Sequence, residues 1–171
     1  MSSIDLPRDR PWPGRELDLR DSVVGFMHFV HTTAVNKVAG LTEAQARATP
    51  LPTSPVMSPL GLLKHLTAVE RQHIQVHIGG SSLKPLWNHD DTTQDFRIGA
   101  HESIASVVTA YDEEWERSKA TLAAADWGGL VLAYGRPVRV GRLMVDVLQE
   151  CARHLGQLDI LRELIDGATG E

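Results

Sequence analysis

Four long stretches of this chain carry apolar residues at helical spacing, and glycine or proline punctuates most of their ends. The spacing predicts helices over about residues 16–39, 59–78, 102–125 and 142–166. Gly40 closes the first, Ser58-Pro59 opens the second as a cap followed by proline, and Gly79-Gly80 ends it. Gly141 precedes the last and Asp166-Gly167 closes it. An amphipathic helix must bury its stripe against another element, and four of them close into a bundle. The fold class expected is therefore all-α, an antiparallel four-helix bundle.

The segments between the helices are long. Residues 1–15 hold Pro7, Pro11 and Pro13 among charges and read as an extended arm with Trp12 as an anchor; residues 16–171 read as one domain. A turn of helix capped by Thr42 is expected at 41–46, and prolines at 50, 52 and 55 make 49–56 irregular. Residues 79–101 form a long connection in which Trp87 and Phe96 either cover a pocket or pin the loop. Its His89, Asp90 and Asp91 read as a solvated turn. Residues 126–141 carry two β-prone runs around Gly135-Arg136, which predicts a small hairpin before the last helix, with Pro137 confining its strand to an edge.

Composition closes off several functions. The net charge of −5 and pI near 5.9 argue against a nucleic-acid groove. No apolar run is long enough for a membrane span, and the N-terminus lacks the apolar core of a signal peptide. The single cysteine, Cys151, allows no internal disulfide and points to a reducing cytoplasm. Only Lys37, Lys64, Lys84 and Lys119 are lysines among 17 basic residues, which with the many alanines and glycines hints at a GC-rich bacterial source, such as an actinobacterium.

The last helix holds the most suggestive chemistry. Glu150 and His154 are one helical turn apart, and His154 falls on the apolar seam of Val147, Cys151, Leu158, Leu161 and Ile165. A carboxylate and an imidazole at the edge of such a seam need a partner, and a metal ion is one. The second helix is rich in histidine: His65 alone facing a neighbour, or His73 and His77 as a pair four apart, could supply the third ligand. Each of these histidines has the simpler reading of a core or rim residue bonded to a carbonyl. Other residues carry simpler readings too. His28 and His31 read as surface or locally satisfied histidines, Glu70 as a solvated helix charge, and the acidic run around Asp112, Glu113, Glu114 and Glu116 as a solvated face. Tyr111 and Trp115 read as core. Cys151, about 100° around the helix from Glu150, reads as a small core residue.

Gly61 to Arg71, with His65, resembles the first ligand segment of the DinB/YfiT-like superfamily, and Glu150 to Gly167 resembles its last helix. Lys37 to Gln45 and Val108 to Tyr111 are similar to it as well, so the resemblance spans nearly the whole chain after residue 16. The resemblance implies a four-helix bundle holding a divalent metal, usually zinc, on three side chains. Within the superfamily the nearest branch comprises the mycothiol-dependent S-transferases and the N-terminal domain of maleylpyruvate isomerase. Carried over by position, the ligands are His65, Glu150 and His154, and His73 and His77 become pocket or rim residues. Relatives of this branch often carry histidine where Gln157 and Asp146 stand. The isomerase has an additional C-terminal domain, so the single-domain S-transferases are the closer model.

The function expected from this resemblance is a metal-dependent thiol S-transferase. It conjugates mycothiol, favoured over bacillithiol by the GC-rich composition, to an electrophilic small molecule in a detoxification chemistry. The rivals are a metal-dependent hydrolase using bound hydroxide and a stress-related bundle that binds metal without catalysis. The expected partners are a small-molecule thiol and an electrophile, with no nucleic acid and no membrane. Homodimer formation is open, since such bundles often dimerise without a readable signature.

Overall fold

A computed structural model of the chain describes residues 6–87 and 90–170. Helix α1 (Leu19–Asn36) starts at Asp18, whose side chain accepts from the Asp21 amide. The short α2 (Glu43–Ala46) has Thr42 as its cap, in a reciprocal capping box with Gln45. Helix α3 (Pro59–Glu70) begins at Ser58 and runs on without a break as a π-helix over Arg71–Ile78. A 3-10 turn (Gln94–Phe96) lies in the long connection, and α4 (Ile104–Ala124) is capped by Ser103. Strands β1 (Leu130–Ala133) and β2 (Arg136–Arg139) form an antiparallel hairpin that leads directly into α5 (Val140–Asp166). The expected bundle and the hairpin before its last helix are both present.

Around the bundle, α1 packs on α5 and α4, and α3 packs on the other faces of the same two helices. Met27, Leu60, Leu63, Leu66, Val108, Leu122, Met144 and Leu158 are fully buried between them. Among the described residues no helix is long and apolar enough to cross a membrane.

The π-helical stretch departs from the uniform helix expected over about 59–78. A uniform helix over 59–78 would place His73 and Val76 on the buried stripe with Val69. The i→i+5 register, visible in the Gly79 amide bonding to the Ile74 carbonyl at 2.8 Å, winds the chain wider. Ile74 is fully buried instead, flanked by buried Gln72 and Gln75, and His73 is released to the side. π-Helical turns are found frequently at functional sites, and this one borders the pocket described below.

Two charge readings are also overturned. Glu70 and Glu114 are both completely buried. Arg71 of the π-helix and Arg117 of α4 converge on Glu114 Oε2 at 2.9 and 3.1 Å. Glu70 Oε2 accepts from the Ser118 hydroxyl at 3.2 Å. A carboxylate at zero exposure survives only where such partners replace water. Sequence spacing puts both on charged helix faces because Arg71, for Glu114, and Ser118, for Glu70, come from another helix.

The arm does more than expected. Trp12 packs edge-on against Phe26 and Phe29, with ring centroids 5.7 and 4.8 Å apart. Arg8 makes a bidentate ion pair with Asp112 at 2.6 and 2.7 Å, so Asp112 is not simply solvated. His31, which is buried, shares Asp112 Oδ1 with Arg8 through its Nε2 at 3.1 Å and packs on Tyr111. Burial works against the charged Asp112 carboxylate, but the Arg8 and His31 hydrogen bonds outweigh it and hold the pKa at about 2, against 3.8 for the free side chain. A depressed carboxylate pKa stabilises the fold above the unfolded value, and that contribution is lost as the pH falls toward the folded one. The urea midpoint is therefore expected to drop as pH is lowered from about 4 to about 2. The drop should be smaller in Arg8→Met, in which the carboxylate titrates closer to its free value.

Candidate metal centre

Gly61 sets the geometry of the first candidate ligand. A Cβ at this position would lie 2.5 Å from the Phe96 carbonyl oxygen, so only glycine lets the 94–96 turn rest on α3. One helical turn further along α3 stands His65. The Phe96 ring stacks on its imidazole at 4.1 Å and an interplanar angle of 15°. Asp95, 2% exposed, accepts a hydrogen bond from His65 Nδ1 at 2.8 Å. Loop aromatic and loop carboxylate thus fix one ring together.

Helix α5 supplies the other two groups. Glu150 Oε1 and His154 Nε2 are 3.1 Å apart across one turn. His154 is 7% exposed, and its Nδ1 donates to Gln157 Oε1 at 2.6 Å. The His65 and His154 rings meet edge to face with centroids 4.7 Å apart. One donor atom each from His65, Glu150 and His154 lie within 4.8 Å of one another, bringing the three residues together.

The donor set can be tested against a metal by its protons. A carboxylate can only accept, so the His65 proton sits on Nδ1, and the Gln157 oxygen does the same for His154. Both Nε2 lone pairs are left to face the Glu150 carboxylate. Burial lowers the His154 pKa, so this imidazole does not itself supply positive charge. In these tautomers two imidazole nitrogens and a carboxylate oxygen converge, an arrangement that a cation between them relieves. Two imidazoles and one carboxylate, each imidazole with an oxygen acceptor behind it, fit a divalent ion such as zinc with an open coordination position.

Asp95 went unread as a functional residue in the sequence, where the only signal was its place beside Phe96 in the long connection. Asp95→Asn is expected to weaken metal affinity by about 10–100-fold, because the amide leaves the His65 tautomer unfixed. Competition with a fluorescent chelator measures this.

A cavity of about 400 Å³ opens beside His65 and Glu150, walled by Val69, Val147, Trp87 and Tyr134, with Gln72, His73 and Asp146 adding polar groups. Trp87 therefore lines a pocket, while Phe96 braces His65. His73 and His77 do not form a metal grip. His73 Nδ1 donates to the Val69 carbonyl at 2.8 Å, His77 Nε2 accepts from the Gln72 amide at 3.0 Å, and the rings are 6.0 Å apart. Cys151 is buried at 1% exposure, and burial pushes its thiol pKa well up, which leaves it a core residue. Asp91 is held by Thr93 and Arg97, and His89 lies outside the described residues.

Comparison with known proteins agrees with the helical architecture. The family model described as mycothiol-S-transferase matches residues 22–167. The crystal structure of a conserved protein of a locus from Enterococcus faecalis superposes with a TM-score of 0.70, at 15% identity, over 89% of this chain and 99% of that one. At that identity the likeness is one of fold. No curated protein matches the chain.

Proposed function

Given that the chain belongs to the mycothiol-S-transferase family, we propose that it joins mycothiol to an electrophilic small molecule at a zinc site formed by His65, Glu150 and His154. The observation that carries this reading is the convergence of two imidazoles and a carboxylate, with ligand atoms within 4.8 Å of one another, at the edge of an open cavity. When bound, the ion supplies the Lewis acidity that presents a thiol as thiolate near neutral pH.

The chain's own residues do the rest. Asp95 and Gln157 hold the two imidazoles in the tautomer that offers Nε2. Glu150 contributes negative charge and balances part of the ion's charge. Phe96 covers one face of His65 and limits water there. Val69 and Val147 give the cavity apolar wall, against which the carbon skeleton of an electrophile loses water. No side chain is needed to take the thiol proton, which leaves to solvent, and the sulfur lone pair forms the new bond to carbon as the electrophile's bond to its leaving atom breaks, with that bond's electron pair going to the leaving atom.

The test is thiol consumption. Zinc-loaded protein is mixed with mycothiol and benzyl chloride, and free thiol is followed with time. Loss of thiol that requires protein, stops on chelation and returns with zinc supports the reading. Ester hydrolysis without thiol would point to hydroxide chemistry instead. A fully metallated protein that leaves the thiol untouched overturns it.

A further inference from the structure

The hairpin tip carries a residue that the thiol-activating site does not use. Tyr134 has φ +52° and Gly135 φ +75°, the pair of left-handed residues that a tight two-residue turn requires. Asn, Asp or Gly normally takes the first of these positions, because a Cβ there is costly. A tyrosine in that conformation is held by something, and its contacts show what. Its ring meets those of His77 and His73 edge to face, with centroids 4.7 and 5.9 Å away. Its hydroxyl lies 3.3 Å from His73 Nε2.

The direction of that hydrogen bond is settled by the rest of the chain. His73 Nδ1 lies 2.8 Å from the Val69 carbonyl, which can only accept, so Nδ1 carries the proton and Nε2 the lone pair. Burial lowers the His73 pKa and raises that of Tyr134, so both stay neutral at pH 7. The phenol is the donor. Tyr134 stands in the wall of the cavity that His65 and Glu150 also line. Tyr134 is 57% exposed, whereas the His65 side chain is 16% exposed, so the phenol stands at the mouth and the ligands lie deeper. A thiol seated at the ligands leaves the mouth to the second substrate.

Resting on the thiol-transfer reading, we propose that Tyr134, held by its ring contacts with His77 and His73, turns its hydroxyl from His73 Nε2 to an oxygen on the electrophile and donates its proton there, and that the electrophile class is therefore oxygen-centred, an epoxide in its simplest form. The sulfur lone pair forms the S–C bond as the C–O bond of the ring breaks. The electron pair of that bond goes to oxygen, which takes the phenolic proton. The phenolate recovers a proton from solvent, matching the one the thiol released, so the sum is thiol plus epoxide to hydroxy thioether. In attack on an alkyl halide the charge leaves as halide ion and no oxygen needs a proton. The hydroxyl then matters far less.

The test compares Tyr134→Phe with the parent, both zinc-loaded, using mycothiol with styrene oxide and with benzyl chloride. Phenylalanine keeps the ring contacts with His73 and His77, and zinc content and circular dichroism check that site and fold are intact. The ratio of kcat/KM for the epoxide to that for the halide is expected to fall about 100-fold, the scale of a lost acid catalyst. Equilibrium binding of acetophenone, which accepts a hydrogen bond but is not consumed, should weaken by up to about tenfold. A ratio unchanged within twofold overturns the proposal, as does a change confined to KM for the thiol, which would assign the hydroxyl to the thiol's own polar groups. A parent that conjugates the halide but no epoxide overturns the electrophile class and leaves thiol transfer standing. A parent that conjugates neither overturns both.

Discussion

Alanine at His65, Glu150 or His154 is expected to remove stoichiometric zinc and to slow mycothiol conjugation on the order of a thousandfold. A Lewis acid at the reacting atom is worth several kcal/mol, and about 1.4 kcal/mol is a factor of ten in rate. The three substitutions should not behave alike in the metal-free protein. Removing Glu150 relieves the confrontation of its carboxylate with the His154 lone pair, 3.1 Å away, so the Glu150→Ala apoprotein should be at least as stable as the parent apoprotein. Removing His154 opens a void at a site only 7% exposed and should lower stability in both forms. His73→Ala is the internal control. It lies on the same helical run and lines the same cavity, yet its zinc content should equal the parent's. Elemental analysis after reconstitution decides the matter: full zinc in His65→Ala would sink the ligand set, and zinc loss in His73→Ala would reopen the choice between them.

The second large effect lies in the bundle core. Arg71→Met is expected to lower stability by about 3 kcal/mol, within the range for breaking a buried ion pair on one side. Glu114 has no exposure at all, and Arg71 contacts its Oε2 through both Nε at 3.0 Å and Nη2 at 2.9 Å. Without Arg71 the carboxylate retains Arg117, whose side chain is 44% exposed and screened by water. Glu114→Met alone frees two guanidinium groups that can turn to solvent, and it should cost less. The double variant Arg71→Met/Glu114→Met should recover most of the loss, since apolar side chains of similar volume often equal or exceed a buried pair. Urea titration of the four proteins gives the coupling energy. Additive losses would show that the pair contributes no specific interaction.

These two sites also show what a reader of the sequence can and cannot extract. Helix ends were legible because their causes are local: Ser58 before Pro59, Thr42 three residues before Gln45, Gly167 after Asp166. The hairpin was legible from β-prone runs around Gly135. Glu150 and His154 were legible as a pair because one turn of helix stacks them. His65 was one of several histidines, and the resemblance to a known superfamily, not the spacing, separated it from His73 and His77. Asp95 was out of reach, since its meaning depends on a turn that Gly61 allows to settle against α3 from 34 residues away. The burial of Glu70 and Glu114 is hidden from the sequence for a related reason. A charge on a helix is buried or solvated according to what another helix brings to it, and periodicity carries no record of that. The π-helical winding after Glu70 escaped as well, because the same residues serve either register until packing chooses.

The hairpin tip has a use of its own. Two strands of four residues form a small sheet, marginal without support, and their turn is exposed. A backbone cut between Tyr134 and Gly135 would leave His65 on one fragment and both Glu150 and His154 on the other. Neither fragment holds the three groups by itself, and α5 would have to dock again between α1 and α3 to restore them. In such a split protein zinc uptake would count reassembled molecules, and the ion would act as the clasp that holds the two pieces together.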